Sequence, residues 1–317
     1  MRSVAAPSEV AAGVFRIEVP LVMRSPDRIN CYVVCFDDTV LLVDTGMLGS
    51  EDALLDGLRR LDLQPTDVLI THGHPDHWGL ATMFSETVIA HRGAQRELDY
   101  ARSPADMAAR FGLSEMAKTF GIDASRFSVF DRYKELVAGI PEIREIADGH
   151  HIGDWTVLWT PGHSPGHVCL YRQGDRVLIA GDHLLPGFTP NVQPDPDRSD
   201  ALADYLSSLQ RIAELDISLV LPAHGEPFRT ARERAEELIT HHEQRLEKLS
   251  RYLARPRSLG EVTVELFADL ETGEDRMLAS LEAFAHLEHL RLLGSVMVRD
   301  GEPVRWVSAP NHETVPA

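Results

Sequence analysis

Over the first 230 residues, short apolar runs with the two-residue period of strands alternate with segments of helical spacing. Strands are expected at 14–18, 29–36 and 40–43, with Asp37 and Asp38 forming the turn between the last two. Leu54, Leu55, Leu58 and Leu61 recur at helical spacing over 50–61, with Ser50 placed as the N-cap. Two more strands, 68–70 and 87–90, precede an amphipathic helical insertion at about 92–137, broken near Pro104 and Gly112. Strands resume at 143–146, 156–159, 168–171 and 177–180, then a helix at 200–214 and a last strand at 219–221. The class is therefore α/β.

Beyond 230 the pattern changes. Residues 231–253 read as a long charged helix stopped by Pro256, and 277–293 as an amphipathic helix ended by Gly294. Residues 295–308 read as a hairpin turning at Asp300-Gly301, with Val296, Val298, Val304 and Trp306 on its strands. This divides the chain into a domain of residues 1–230 and a smaller helical one of 231–317.

A length of 317 residues suffices for both units. The net charge of −18, from 49 acidic against 31 basic side chains, disfavours a nucleic-acid partner. No apolar run approaches the roughly 18 residues of a membrane span, and the amino terminus has no signal-like core. A cytoplasmic protein without a membrane partner is expected. Cys31, Cys35 and Cys169 lie in strand-like runs without CxxC spacing and read as buried core thiols, although Cys31 and Cys35 would share a strand face.

Candidate chemistry concentrates in Thr71-His-Gly-His-Pro-Asp-His-Trp-Gly79, which follows a strand and packs His72, His74, Asp76 and His77 into six residues. Desolvating four such groups together is unfavourable unless a divalent cation accepts their lone pairs. Three further candidates each sit just past a strand: His163 in Thr160-Pro-Gly-His-Ser-Pro-Gly-His167, Asp182 in Gly181-Asp-His183, and His224 in Pro222-Ala-His-Gly225. Strand ends gathered at one sheet edge can assemble a site from distant sequence. His167 and His183 are expected to fix turns or to meet substrate. His150-His151 read as solvated, and His241, His242, His286, His289 and His312 as ordinary surface or partly buried side chains.

These motifs, in this order, resemble the metallo-β-lactamase superfamily, and Asp44-Thr45-Gly46 resembles its early Asp-Thr-Gly turn. The resemblance covers about residues 13–230. It implies a four-layer αββα sandwich with two divalent metals at one edge, zinc first, with iron and manganese as alternatives. One metal would be held by His72, His74 and His163, the other by Asp76, His77 and His224, with Asp182 bridging. Asp76 would also orient the attacking hydroxide and relay a proton, and Asp44 would accept a hydrogen bond from the loop or from a ligand imidazole. Gly73 and Gly79 are read as letting the loop bend close around the metals.

The implied activity is hydrolysis of a small-molecule ester, thioester or lactone. Two alternatives use related ligands: a phosphodiesterase or endoribonuclease, and a mononuclear iron sulfur dioxygenase retaining His72, His163 and Asp182. Pro165-Gly166-His167 is reminiscent of the glyoxalase-II-like side of the superfamily. An antibiotic-cleaving enzyme fits poorly with a chain that shows no export signal. The tail resembles the winged-helix-like unit of some relatives, but its Arg291, Arg299 and Arg305 are offset by surrounding acids, so packing on the sandwich or a homo-oligomer contact is its expected role. Met107, Phe111, Leu113, Met116, Phe120, Phe127 and Phe130 of the insertion would either pack on the sandwich or overhang the metals as a lid.

Overall fold

The structure, a computed structural model, describes residues 5–23, 26–102, 135–194, 198–267, 273–301 and 303–310. Its first sheet has seven strands in sequence order: β1 (Ser8–Ala11), β2 (Val14–Pro20), β3 (Arg28–Phe36), β4 (Thr39–Val43), β5 (Asp67–Leu69), β6 (Thr87–His91) and β7 (Glu142–Ile146). Pairing is antiparallel from β1 to β4 and parallel from β4 to β7. The second sheet runs in the order β12 (Leu219–Pro222), β11 (Val177–Gly181), β10 (Val168–Arg172), β9 (Trp155–Trp159), β8 (His151–Ile152), with only β11–β12 parallel.

The two-residue period of each strand assigns its faces. Tyr32, Val34, Leu41, Val43 and Leu69 of the first sheet meet Val157, Val168, Leu170, Ile179 and Leu221 of the second in a central core. Leu42 and Val33, one residue out of phase, face helix α1 (Glu51–Leu61) through Leu54 and Leu58. Leu178, Ala180 and Val220 face α4 (Ala201–Ala213) and α5 (Ala231–Tyr252) on the other side. Strands buried on both faces read as continuous apolar runs, which is how β4 and β11 stand out in the sequence. The result is the expected αββα sandwich.

Element by element, the expected boundaries hold to within a few residues. Ser50 does precede α1, but its hydroxyl donates to Pro20 O at 2.6 Å and makes no cap hydrogen bond. Periodicity missed β1 and β8, the four-residue helix α2 (Pro75–Trp78), and α6 (Leu259–Leu266), which opens with a capping box of Ser258 and Glu261. Helix α3 (Ala94–Arg102) packs Ala94 and Leu98 against Val88 and Ala90 of β6. The seven apolar positions named for a lid all fall within 103–134, outside the described residues.

After β12 come α5, α6, α7 (Gly273–Leu292) and the hairpin of β13 (Val296–Arg299) with β14 (Arg305–Ser308). Leu249, Leu253, Val262, Leu287, Val296 and Trp306 form a small core there, while the first half of α5 belongs to the sandwich through Ala231, Ala235 and Leu238. Of the three tail arginines named from sequence, Arg291 is ion-paired with Glu288 and Arg305 with Glu261. Among the described residues no helix is long and apolar enough to cross a membrane. Cys31 and Cys169 are fully buried and Cys35 partly so, all as free thiols, and burial pushes Cys169 up to about 12.

Candidate metal centre

Every candidate side chain leaves the sandwich at one edge. His72 and Asp44 follow β5 and β4, His163 follows β9, Asp182 follows β11 and His224 follows β12. Hydrogen bonds between the sheets tie this edge together: Val168 N donates to Thr71 O at 2.9 Å, Asn30 N to Ala223 O at 2.7 Å, and Tyr32 Oη to Pro222 O at 2.7 Å.

The loop after β5 turns into α2 with Pro75 at its first position, where a missing N–H is no loss. This one turn projects Asp76 and His77. A Cβ on Gly73 would lie 2.3 Å from Glu97 Cβ, and one on Gly79 would lie 2.7–2.8 Å from Pro75 O, Leu136 O and Met47 Cα. Both glycines therefore let the loop run where any Cβ would clash with neighbouring protein atoms.

His72 Nε2, His74 Nδ1 and His163 Nε2 converge, with separations of 2.9, 3.1 and 3.2 Å. The other nitrogens of His72 and His163 have hydrogen-bond partners of their own, which fixes those two tautomers. Thr71 Oγ1 lies 2.9 Å from Asp44 Oδ2 and must donate to it, so it accepts from His72 Nδ1–H at 3.1 Å. His163 Nδ1–H donates to Asn191 O at 2.7 Å. His74 Nε2 faces Glu97 Oε1 at 3.6 Å. The bare lone pairs of His72 and His163 are thus aimed at each other and at His74 Nδ1, an arrangement suited to a cation among them.

The second group is richer in charge. His224 Nε2 lies 3.3 Å from Asp76 Oδ2 and 3.4 Å from Asp182 Oδ1, and His77 Nε2 lies 3.6 Å from Asp182 Oδ2. Asp182 Oδ2 is also 3.6 Å from His163 Nε2, so this carboxylate stands between the two groups. His77 Nδ1–H donates to Asp44 Oδ2 at 2.8 Å and His224 Nδ1–H to Arg28 O at 2.6 Å, which turns both Nε2 atoms inward. His77 Nε2, His224 Nε2 and Asp182 Oδ1 are buried and have no hydrogen-bond partner. Orphaned polar atoms of this kind, with imidazole and carboxylate donors and inward tautomers, fit divalent ions at both groups.

Protonation behaviour follows from the same contacts. Burial drives His72 well below the ordinary imidazole range, with His77, His74 and His163 adding to the effect, and takes His74 down to about 3. For His77, burial acts downward but Asp44, Asp76 and Asp182 outweigh it and hold it well above that range. Burial would raise Asp76, yet His77 and His224 bring it down to about 2. One group is therefore a set of neutral donors, the other a set of opposed charges.

The structure thus gathers all seven residues singled out from sequence: His72, His74, Asp76, His77, His163, Asp182 and His224. Asp44 holds His77 as expected, and also accepts from Thr71 N at 2.8 Å, although its own backbone sits in the left-handed region at φ 59°. His167 fixes a turn: its Nε2 accepts from Asp182 N at 3.0 Å and its Nδ1–H donates to Thr160 Oγ1 at 2.8 Å. His183 is fully buried against Tyr205. Glu97 was missed. Its Oε2 accepts from Gly73 N at 3.1 Å and Ser164 Oγ at 2.7 Å, bracing the loops of His72 and His163 at once. His150 and His151 are exposed as expected, but His242 and His286 are fully buried, a correction to the surface reading. His312 lies outside the described residues.

The family model for the metallo-beta-lactamase superfamily matches residues 24–224, and the chain belongs to that superfamily. Among its relatives is the probable metallo-hydrolase YqjP of Bacillus subtilis (strain 168), 29% identical over 274 residues that cover 80% of this chain and 85% of that protein. A metallo-beta-lactamase family protein from Thermus thermophilus has a similar crystal structure, with a TM-score of 0.83 and 32% identity over 95% of this chain and 100% of that one. A beta-lactamase domain protein from Burkholderia ambifaria matches with a TM-score of 0.84 and 30% identity, over 96% of this chain and 94% of that one. Coverage this high extends past residue 230 in both structures.

Proposed function

We infer that the chain is a dinuclear-metal hydrolase acting on a small ester, thioester or lactone, with residues 1–230 as its catalytic domain and 231–317 as a packed helical unit. The observation that carries this reading is the pair of groups on either side of Asp182: three imidazole nitrogens that converge in one, and two orphaned imidazole nitrogens beside two carboxylates in the other. The Bacillus subtilis relative bears the name of a probable metallo-hydrolase. His72, His74 and His163 would hold one ion and Asp76, His77 and His224 the other, zinc first, with Asp182 between them. Bound there, the ions would lower the pKa of a water toward about 7 and polarise the substrate's acyl oxygen.

The chain's own residues do the rest. Asp76, ionised and slightly open to solvent, accepts a proton from the attacking water and orients it. Asp44 and Asn191 O keep Nδ1 of His77 and His163 protonated, so that neither ring turns away. The acidic surface favours a small uncharged acyl substrate over a polyphosphate backbone. The second ligand group, complete in Asp76, His77 and His224, favours two metals over the single iron of a dioxygenase. Placement near the glyoxalase-II-like side, in the cytoplasm, is consistent with this chemistry.

The test is turnover of metal-loaded protein against a panel of esters, thioesters and lactones, with metal content measured on the same sample. Asp76→Ala is expected to reduce kcat/KM by about 10²–10⁴-fold. Turnover that Asp76→Ala leaves intact would reject the assignment. A single iron per chain with oxygen uptake on a persulfide would replace it with the dioxygenase, and salt-sensitive cleavage of single-stranded RNA with the nuclease.

A further inference from the structure

Helix α7 has two working faces. Ala283, Leu287 and Leu290 enter the small carboxyl-terminal core. Residues 278, 282 and 289, at helical spacing, instead reach toward the sandwich. Asn191 Nδ2 donates to Glu282 Oε2 at 2.8 Å and to Leu278 O at 3.3 Å, and His289 Nδ1–H donates to Asp200 Oδ2 at 2.8 Å. Glu282 is buried, and its other oxygen is ion-paired with Arg245 of α5.

Asn191 is also the residue whose backbone oxygen accepts from His163 Nδ1–H. It lies on the loop that follows Asp182 and His183. The same loop is gripped by α5, where Arg234 donates to Leu185 O and Phe188 O, each at 2.8 Å. A continuous chain of contacts therefore runs Arg245, Glu282, Asn191, His163. Its side-chain anchor acts at the very residue whose carbonyl meets the imidazole, whereas Arg234 holds the loop further back. A hydrogen bond at Nδ1 decides which nitrogen of a ligating histidine is bare and where it points.

The geometry points to Glu282 and Asn191 as positioning residues for His163, so that the carboxyl-terminal helices are part of the metal centre rather than an attached module. A buried carboxylate–arginine pair is a poor stability device, since its desolvation offsets most of its attraction. Holding a loop against a ligand gives this one a use. The inference rests on the reading of His163 as a metal ligand, and the test separates the two.

The full-length, metal-free protein is titrated with cobalt(II), and the visible absorption bands and chelator-competition affinities are recorded. In Asn191→Ala, which keeps the carbonyl and removes its anchor, one cobalt equivalent is expected to weaken by about 10–100-fold with altered bands, the other staying as in the wild type. Glu282→Ala should do the same, and Glu282→Gln, which still offers Asn191 an acceptor, should recover most of the affinity. Leu287→Ala, a cavity in the small core, should lower stability and leave the cobalt bands unchanged. Wild-type affinity and bands in both Asn191→Ala and Glu282→Ala overturn the inference while leaving the metal centre intact. If the wild-type protein takes up no cobalt, the metal-centre reading fails, and this inference with it.

Discussion

Two clusters of buried histidine and acid flank Asn191, and they differ in one ingredient. At the sheet edge, His72, His74, His163, Asp76, His77, His224 and Asp182 bring inward nitrogens and two carboxylates together with no lysine or arginine among them. Under the tail, His242, Glu282 and His286 are just as buried, and their candidate ligand atoms are just as close. There, however, Arg245 supplies the positive charge. His286 Nδ1–H donates to Glu282 O at 2.7 Å, leaving Nε2 to accept from His242 Nδ1–H at 3.0 Å, so both nitrogens of His286 are satisfied and His242 Nε2 is left without a partner. Burial drives His242 to about 2 and His286 to about 3, so neither competes as a cation. Proximity alone does not make a metal site. What sets the sheet edge apart is three orphaned ligand-type atoms beside two carboxylates, against one orphaned nitrogen and an arginine-paired acid in the tail.

The largest expected effect removes that internal cation. Arg245→Met strips Glu282 of its partner within a buried setting and should cost about 3–5 kcal/mol of stability, read from chemical denaturation. If the variant is as stable as the wild type, Arg245 is not what makes the tail cluster self-sufficient, and the comparison fails.

A smaller effect, at the other cluster, tests the support of a ligand. Asp44→Asn presents His77 Nδ1 and Thr71 with an amide in place of the carboxylate that both donate to. Affinity for the metal at the Asp76, His77, His224 group should weaken by about 10–100-fold, equivalent to about 1.4–2.7 kcal/mol. The His72, His74, His163 group should change far less. Equal weakening of both equivalents in chelator competition would show that Asp44 supports the loop as a whole and not His77 in particular.

These differences also explain what could be read in advance. His72, His74, Asp76 and His77 announce themselves because a single turn supplies them all, and His163, Asp182 and His224 because each follows an apolar strand. Asn191 left no mark, since it meets His163 through a backbone oxygen that every residue has. Glu97 was hidden in a segment where acids and bases alternate. The surface reading of His242 ignored an available signal: Ala231, Ala235, Leu238, His242 and Leu249 recur at helical spacing, which places it on the buried stripe of α5. The charge of the rest of that helix obscured it. The fold was legible because strand faces are dictated by a two-residue period, whereas the short α2 is set by Pro75 and tertiary contacts rather than by any apolar pattern.

The smallest expected effect concerns the outer link of α7, where His289 meets Asp200. Asp200 also caps α4, accepting from Ala203 N at 2.9 Å. Burial would raise its carboxyl, but the hydrogen bonds from His289 and Ala203 N prevail and hold it below the ordinary range. A carboxyl depressed on folding adds stability that is present above its unfolded pKa and is lost as pH falls through the folded one. Asp200→Asn keeps an acceptor for the cap and loses the charge, so it should cost about 0.5–1 kcal/mol near neutral pH, modest because the pair is partly open to solvent. The gap between the urea midpoints of variant and wild type should close as pH is lowered below about 4. A gap that persists or widens in acid would mean that Asp200 acts by shape rather than charge, and that the polar face of α7 is anchored by Glu282 and Asn191 alone.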